Sequence, residues 1–368
     1  MGDRFHYQGD KRRTISFPLG GIGTGCVGLD GTGRLIDWEI FNRPAKGTLN
    51  GYAHFAVKAE RGGEVVDARV LNADLLPPYM GSEVAGSRFN GFGFGPPREM
   101  MSGIPHFRDN EFVGQFPFAK VNFQDESFPG DAALSAFNPF IPLDDKNSSL
   151  PAAFFEVTLK NTGSEPLDYS VAFSLKNPTK GSAVNRFYQE HGVTAMILDA
   201  NDLPGDSPDF GQLSMSVTDK DVSYQQYWYR GGWYDNLAMF WRNFTTAGPL
   251  QNRVYDETAS GVQMATLCVK KSCAPGETIS FRFLMSWYYP NFQNYWSPEK
   301  CDCGDGCCEP VVHTWKNYYA TLFTSAVDVA KYIFPKWDCL LAETQSFADA
   351  LYSSSLPEEA IEAVGANL

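Results

Sequence analysis

Residues 17–47 read FPLGGIGTGCVGLDGTGRLIDWEIFNRPAKG. Seven glycines crowd positions 20–33, and the run that follows, 34–41, alternates like a β-strand. Within the glycines, GTGCVG (23–28) matches a G-x-G-x-x-G dinucleotide loop letter for letter. Such a loop needs a buried strand before it and a helix after it, so that the helix N-terminus faces the pyrophosphate. Here Pro18 stands just upstream, and Asp30-Gly31-Thr32-Gly33 turns the chain into the strand-like run instead. The glycines therefore read as tight turns and places where backbones approach closely, and a nucleotide site is rejected.

Outward from this stretch the pattern stays mostly β. Runs at 116–123, 152–160 (AAFFEVTLK), 167–175 (LDYSVAFSL), 193–199, 212–217, 262–269 and 278–285 alternate and are rich in Val, Phe, Tyr and Thr. Asn161-Thr162-Gly163 and Ala274-Pro275-Gly276 punctuate them. Helix-length periodic segments are missing between most of these runs, which argues against parallel βαβ winding and for an antiparallel sandwich. One helix is expected at 237–246. Residues 74–114, with Pro77-Pro78 and GFGFGPP, read as a long loop, either ordered by a neighbouring domain or packed on its own aromatics.

The C-terminal part reads as helical. Trp315, Tyr318, Tyr319, Leu322, Phe323, Ala326, Val329, Ala330 and Ile333 fall at three- and four-residue steps, predicting one amphipathic helix with an apolar face open to a partner. Pro335 ends it. A second helix begins near Lys336, and Ser355-Leu356-Pro357-Glu358 caps a third. The fold class expected is mainly β: a large antiparallel two-sheet β-sandwich, supersandwich-like, over 1–300. A Cys-rich insert and linker helices follow over 301–368.

Composition narrows the function. Among 368 residues, 43 % hydrophobic and 14 % aromatic content fits a folded protein with a large core. Thirty basic against 43 acidic residues give −13, which disfavours nucleic acid and anionic membrane surfaces as partners. No run reaches the roughly 20 apolar residues of a membrane span. The first residues, MGDRFHYQGDKRRT, lack the apolar core of a secretory signal, and His6 occupies the position where a myristoylation motif needs Ser or Thr. A cytoplasmic location is expected, and the triplets at Asn147 and Asn243 are then chance matches to a glycosylation signal.

FPLGGIGTG and DWEIFNRP, the two long motifs of the first fifty residues, resemble the N-terminal domain of the glycoside hydrolase family 116 β-glucosidases, which include the non-lysosomal glucosylceramidases. The resemblance continues through 91–123, 136–161 and 337–368. It implies a β-sandwich that braces a catalytic (α/α) helical barrel and shapes the entrance to its cleft. That barrel, in cis or separately encoded, would hold the carboxylate nucleophile and acid/base of a retaining β-glucosidase. It is absent from this chain, which is then expected to be inactive alone and to meet a β-glucoside only through its partner. The Cys-rich insert departs from the family pattern. The alternative is a free-standing carbohydrate-binding or subunit-docking module.

Candidate site residues follow from both readings. Asp37 and Glu39 flank Trp38, and on a strand they would share a face. An acid/base pair is one reading. A structural role with Arg34 or Arg43 as the pairing cation is favoured, because glycosidase carboxyls oppose each other across the scissile bond. Asp37, Trp38, Glu39, Asn42 and Arg43 are candidates for a domain interface or cleft rim. Trp228 and Trp233, in the aromatic stretch 227–234, join them, with sugar stacking weighed against core packing. The stretch from Trp287 to Trp296 carries the same choice. Cys301, Cys303, Cys307 and Cys308 could hold zinc, with Asp302 or His313 as substitutes, or form a redox-sensitive or simply reduced surface insert. Otherwise no cofactor is expected. Cys26, Cys268, Cys273 and Cys339 read as small core or subsurface residues.

Overall fold

The computed structural model describes residues 5–75, 98–231, 235–256, 263–297 and 313–367. Two sheets stack face to face. The larger runs, edge to edge, through His6–Tyr7, Asp109–Gln115, Phe118–Gln124, Asp131–Phe137, Ala152–Lys160, Thr278–Tyr288, Gln212–Val217, Val193–Ala200 and Ala183–Glu190. The smaller runs through Val222–Gln225, Met264–Cys273, Leu167–Lys176, His54–Arg61, Glu64–Ala73 and His106–Phe107. Every neighbouring pair is antiparallel except the last, where Glu64–Ala73 and His106–Phe107 run parallel. The fold is the antiparallel β-sandwich that the alternating runs predict.

The alternation has two destinations. In Ala152–Lys160, Ala153, Phe155, Val157 and Leu159 point into the core between the sheets. Ala152 and Phe154 point the other way, into a second core. Thr278–Tyr288 does the same, with Phe281, Phe283, Met285 and Trp287 inside and Leu284 and Tyr288 outside. The rings of Phe55 and Phe173, from the smaller sheet, stack at 4.0 Å. Phe55 meets Phe155 and Phe283, from the larger, at 5.2 and 5.6 Å. Each such ring contributes roughly 1.5–3 kcal/mol by leaving water.

Helices cover the outer faces. Asn236–Phe244 lies on the smaller sheet, with Phe240 stacked on Trp228 at 4.2 Å. Ala326–Ile333 and Trp337–Tyr352 cover the larger sheet, where Trp337 meets Phe154 at 4.7 Å. Glu358–Asn367 follows. No described helix is long and apolar enough to cross a membrane.

Several expectations need correction. The aromatic spacing over 315–333 is carried by three elements rather than one helix. Thr314–Lys316 is a strand paired with Asn291–Gln293, Tyr318–Thr321 is a 3-10 turn, and the helix begins at Ala326. Ser325 starts it, accepting from Asp328 N at 3.1 Å while the Asp328 carboxylate accepts from Thr324 N at 3.0 Å. Its apolar face, Ala326, Val329, Ala330 and Ile333, is buried on the larger sheet and is not open to a partner. In the expected loop, Asp109–Gln115 is instead a strand of the larger sheet and His106–Phe107 one of the smaller, with Phe107 and Phe112 in the core; residues 76–97 lie outside the described residues. The cysteines divide: Cys268 and Cys273 are buried and Cys26 half-buried, but Cys339 is exposed.

Candidate functional site: the Asp37–Gly47 turn and an aromatic ridge

The glycine stretch forms a turn rather than a phosphate loop. Ser16–Leu19, Val27–Asp30 and Leu35–Ile36 make a three-stranded sheet, and no helix follows the glycines. Gly25, at φ +79°, lies so close to the next segment that a Cβ there would stand 2.3 Å from the Glu39 carbonyl oxygen. The turn docks on the end of the short helix Asp145–Ser148 through Ile22 N–H to Ser148 O at 2.8 Å, and on the larger sheet through Trp287 Nε1–H to Thr24 O at 2.9 Å.

The strand expected over 34–41 stops at Ile36, because Asp37 adopts φ +51°. That left-handed backbone sends its carboxylate to the Ser16 hydroxyl at 2.7 Å and the Gly47 N–H at 2.6 Å. Glu39 accepts from Ala45 N at 3.1 Å. Lys46, not Arg34 or Arg43, is their cation, at 2.8 Å from Glu39 and 3.5 Å from Asp37. Arg34 points elsewhere, donating to Ala73 O at 2.7 Å. Burial would raise the Asp37 carboxyl, but Ser16, Gly47 and Lys46 outweigh it and hold it below its ordinary value. Both carboxylates thus fasten the 45–47 segment. Cys26 faces Glu39, and burial, then that charge, pushes its thiol up, away from nucleophile behaviour.

Asn42 is also left-handed, at φ +58°. Its Nδ2 donates to Tyr289 O at 3.1 Å and Asn291 O at 3.2 Å, and its Oδ1 accepts from Asn317 Nδ2 at 2.7 Å. Tyr319 completes the knot by donating to Tyr289 O at 2.6 Å. Arg43, next in sequence, is exposed and lies over the Tyr295 ring at 5.0 Å.

From Arg43 a run of rings continues, exposed except for the half-buried Phe292. Tyr295 meets Trp296 at 5.0 Å, Trp296 meets Phe292 at 5.5 Å, and Phe292 meets Trp315 at 4.7 Å. Tyr318, three residues on, donates to Asp145 at 2.7 Å. Asp145 belongs to the 141–149 segment that carries the fully exposed Leu143 and receives Ile22. Trp296 is 62 % and Trp315 47 % exposed. Beside Arg43 opens a cleft of about 300 Å³ between Phe41, Thr179, Lys180, Asp209, Tyr289 and Gln293.

Other candidates do not reach this surface. Trp38 is core, its indole donating to Leu35 O at 3.4 Å. Trp228 is fully buried between Tyr52, His54 and Phe240, so neither ring offers a face to a sugar or a rim. Trp287, Tyr288 and Tyr289 are buried as well, whereas Tyr295 and Trp296 are exposed. Trp233 and the four cysteines 301, 303, 307 and 308 lie outside the described residues. Among the described residues no cluster of His, Cys, Asp or Glu could hold a metal. The sequence reading missed Asn317, Tyr319 and Trp315 as site residues. Their roles depend on the pairing of 291–293 with 314–316, which no local pattern announces.

Comparison with solved structures finds distant likenesses. A polysaccharide lyase gives a TM-score of 0.35 at 11 % identity, covering 78 % of this chain and 33 % of that one. A protein assigned as a kojibiose phosphorylase, from the human microbiome, gives 0.34 at 7 %, covering 95 % and 31 %. A galactose mutarotase related enzyme from Lactobacillus acidophilus gives 0.25 at 9 %, covering 77 % and 97 %. The chain spans about a third of the length of the first two. No curated protein sequence matches it. The profile of the family described as beta-glucosidase 2, glycosyl-hydrolase family 116 N-term, matches residues 16–340. That match takes in the glycine turn, nearly all of both sheets, the Asn42 knot and the ridge, and the chain belongs to the glycosyl-hydrolase family 116 N-terminal family.

Proposed function

We propose that this domain is a non-catalytic brace for a helical catalytic barrel, on the same polypeptide or a separate one, and that it shapes that barrel's cleft. The observation that carries the reading is the ridge of Tyr295, Trp296, Trp315, Tyr318, Leu143 and Ile22. Tyr295, Trp296 and Trp315 are linked through Phe292, and a group of exposed apolar side chains of this kind marks an interaction face. Large aromatics set beside Arg43 are the residue types that anchor protein interfaces. The Asn42 knot supports it by fixing the backbone at Tyr289, Asn291 and Asn317, which flank the ridge strands. The assembled enzyme would then be a retaining β-glucosidase, acting on glucosides that include glucosylceramide, with both carboxylates on the barrel. In this domain Asp37 and Glu39 are held by backbone N–H groups and Lys46 rather than facing each other across an open cleft.

The test is co-expression with the barrel polypeptide. Trp296→Ser with Trp315→Ser should leave the Tm of the isolated domain nearly unchanged and weaken co-purification with the barrel at least tenfold. Undiminished co-purification would move the docking face elsewhere. The isolated domain should show no turnover of an aryl β-glucoside, and clear turnover that survives further purification would refute the non-catalytic reading.

A further inference from the structure

We propose that the cleft beside Arg43 is a binding subsite for a single neutral sugar ring. Four segments build it. The Phe41–Arg43 stretch, the Pro178–Lys180 turn, Pro208-Asp209 and the 289–293 segment line it. Two prolines, Pro178 and Pro208, stiffen two of these segments. The apolar part of the wall is a pair of rings, Phe41 edge-on to Tyr289 at 5.0 Å. At about 300 Å³ the cleft stands at the small end of ligand sites, which begin at roughly that volume.

The polar groups decide the ligand class. Gln293 makes no side-chain hydrogen bond to a described residue, and Arg43 contributes only its ring contact with Tyr295. Asn291 gives both amide hydrogens to Gly205 and Ser207, leaving its carbonyl oxygen as an acceptor. The buried Tyr289 hydroxyl lies within hydrogen-bonding reach of Thr179, and neither hydroxyl has another partner among the described residues. At the lip Lys180 pairs with Asp209 at 2.6 Å. Donors and acceptors therefore both stand beside an aromatic wall.

An apolar ligand would leave the amide and guanidinium without partners, which costs about 1–3 kcal/mol for each buried group. An inorganic anion would use Arg43 and Lys180 but meet the Asp209 carboxylate. Vicinal ring hydroxyls suit the set, since each can accept from Arg43 or Gln293 while donating to Asp209 or Asn291, with a C–H face toward the rings.

The experiment is an NMR titration of the isolated domain with methyl β-glucoside, cellobiose and inorganic phosphate. Saturable shifts with a sugar, at a Kd of about 1 mM, should map to Gln293, Thr179 and Lys180. Gln293→Leu and Thr179→Val should each weaken binding at least fivefold with Tm unchanged. Sugar shifts absent or unaffected by both variants overturn the proposal, as do saturable phosphate shifts in place of sugar ones. Gln293→Leu should leave barrel co-purification intact, so failure here is distinct from failure of the bracing reading.

Discussion

Asn317 donates its amide to Asn42 Oδ1 at 2.7 Å, across 275 residues of sequence. The bond joins the turn at the start of the domain to the strand end that carries Trp315. Asn42 also caps the carbonyls of Tyr289 and Asn291 while sitting in the left-handed region, where Asn is tolerated better than most residues. Asn42→Ala removes three hydrogen bonds, each worth about 1 kcal/mol, and adds about 1 kcal/mol of backbone strain. A loss of about 2–4 kcal/mol in urea unfolding is expected. Asn42→Gly should recover the strain but not the bonds. Equal stability of Asn42→Ala and the parent would mean the knot is dispensable.

Gly23 and Gly25 separate two reasons for glycine in one turn. Both have positive φ, +71° and +79°. A Cβ at Gly23 would meet nothing within 4 Å, whereas at Gly25 it would stand 2.3 Å from backbone oxygen. Gly23→Ala should cost only the backbone preference, about 1 kcal/mol. Gly25→Ala must also push the Glu39 segment aside and should cost at least twice as much, or prevent folding. Thermal melts of the two variants side by side decide this, and equal losses would refute the close-approach account.

The pH dependence below neutrality should carry the signature of His54. Its ring is buried between Trp228 and Phe240, with Nδ1–H on Tyr52 O at 2.7 Å and Nε2 unpartnered. Burial lowers its pKa from 6.5 to about 4. The unfolded chain therefore binds a proton that the native state refuses, so the stability contribution is complete above about pH 6.5 and is lost as pH falls toward 4. The shift corresponds to up to about 3 kcal/mol. His106, also lowered to about 4 chiefly by burial, titrates in the same window, so His54→Gln should reduce the slope of unfolding free energy between those limits by about half, even if it lowers stability at pH 7. An unchanged slope would show that other groups carry the dependence.

The sandwich was legible because its strands alternate in residue type. Runs such as 152–160 alternate through Phe155, Val157 and Leu159, while Ala152 and Phe154, buried on the other face, blur the alternation at the start of the strand. The aromatic spacing over 315–333 misled, since a 3.5-residue period arises equally when a strand, a turn and a helix follow one another. Ser325-x-x-Asp328 was the local clue to the true helix start. Asp37, Glu39 and Arg43 could be picked out by type, but the pairing with Lys46 depends on an unusual φ at Asp37 that no alternation encodes. The ridge and the cleft draw on segments from widely separated parts of the sequence, Phe41 and Tyr289 in the cleft among them, and contacts at that range leave no periodic trace.

Lys58 offers the sharpest energetic test, because it is a charged group only 1 % exposed. Its ammonium donates to Thr246 O at 2.8 Å and Gly248 O at 2.6 Å, in the turn that ends the Asn236–Phe244 helix, and lies 3.7 Å from Glu60. Glu60 has a second cation, Lys270, at 2.8 Å. Replacing Lys58 by Met keeps the apolar stem but strips two carbonyls and one carboxylate of a donor, which should cost about 3 kcal/mol. Glu60→Gln in the same background should then cost less than it does alone, since part of its charge is already unpaired. A double-mutant cycle measured by urea unfolding gives the coupling directly, and about 1 kcal/mol or more is expected. Additive losses would mean that Lys58 serves the helix-end carbonyls alone and that Lys270 suffices for Glu60.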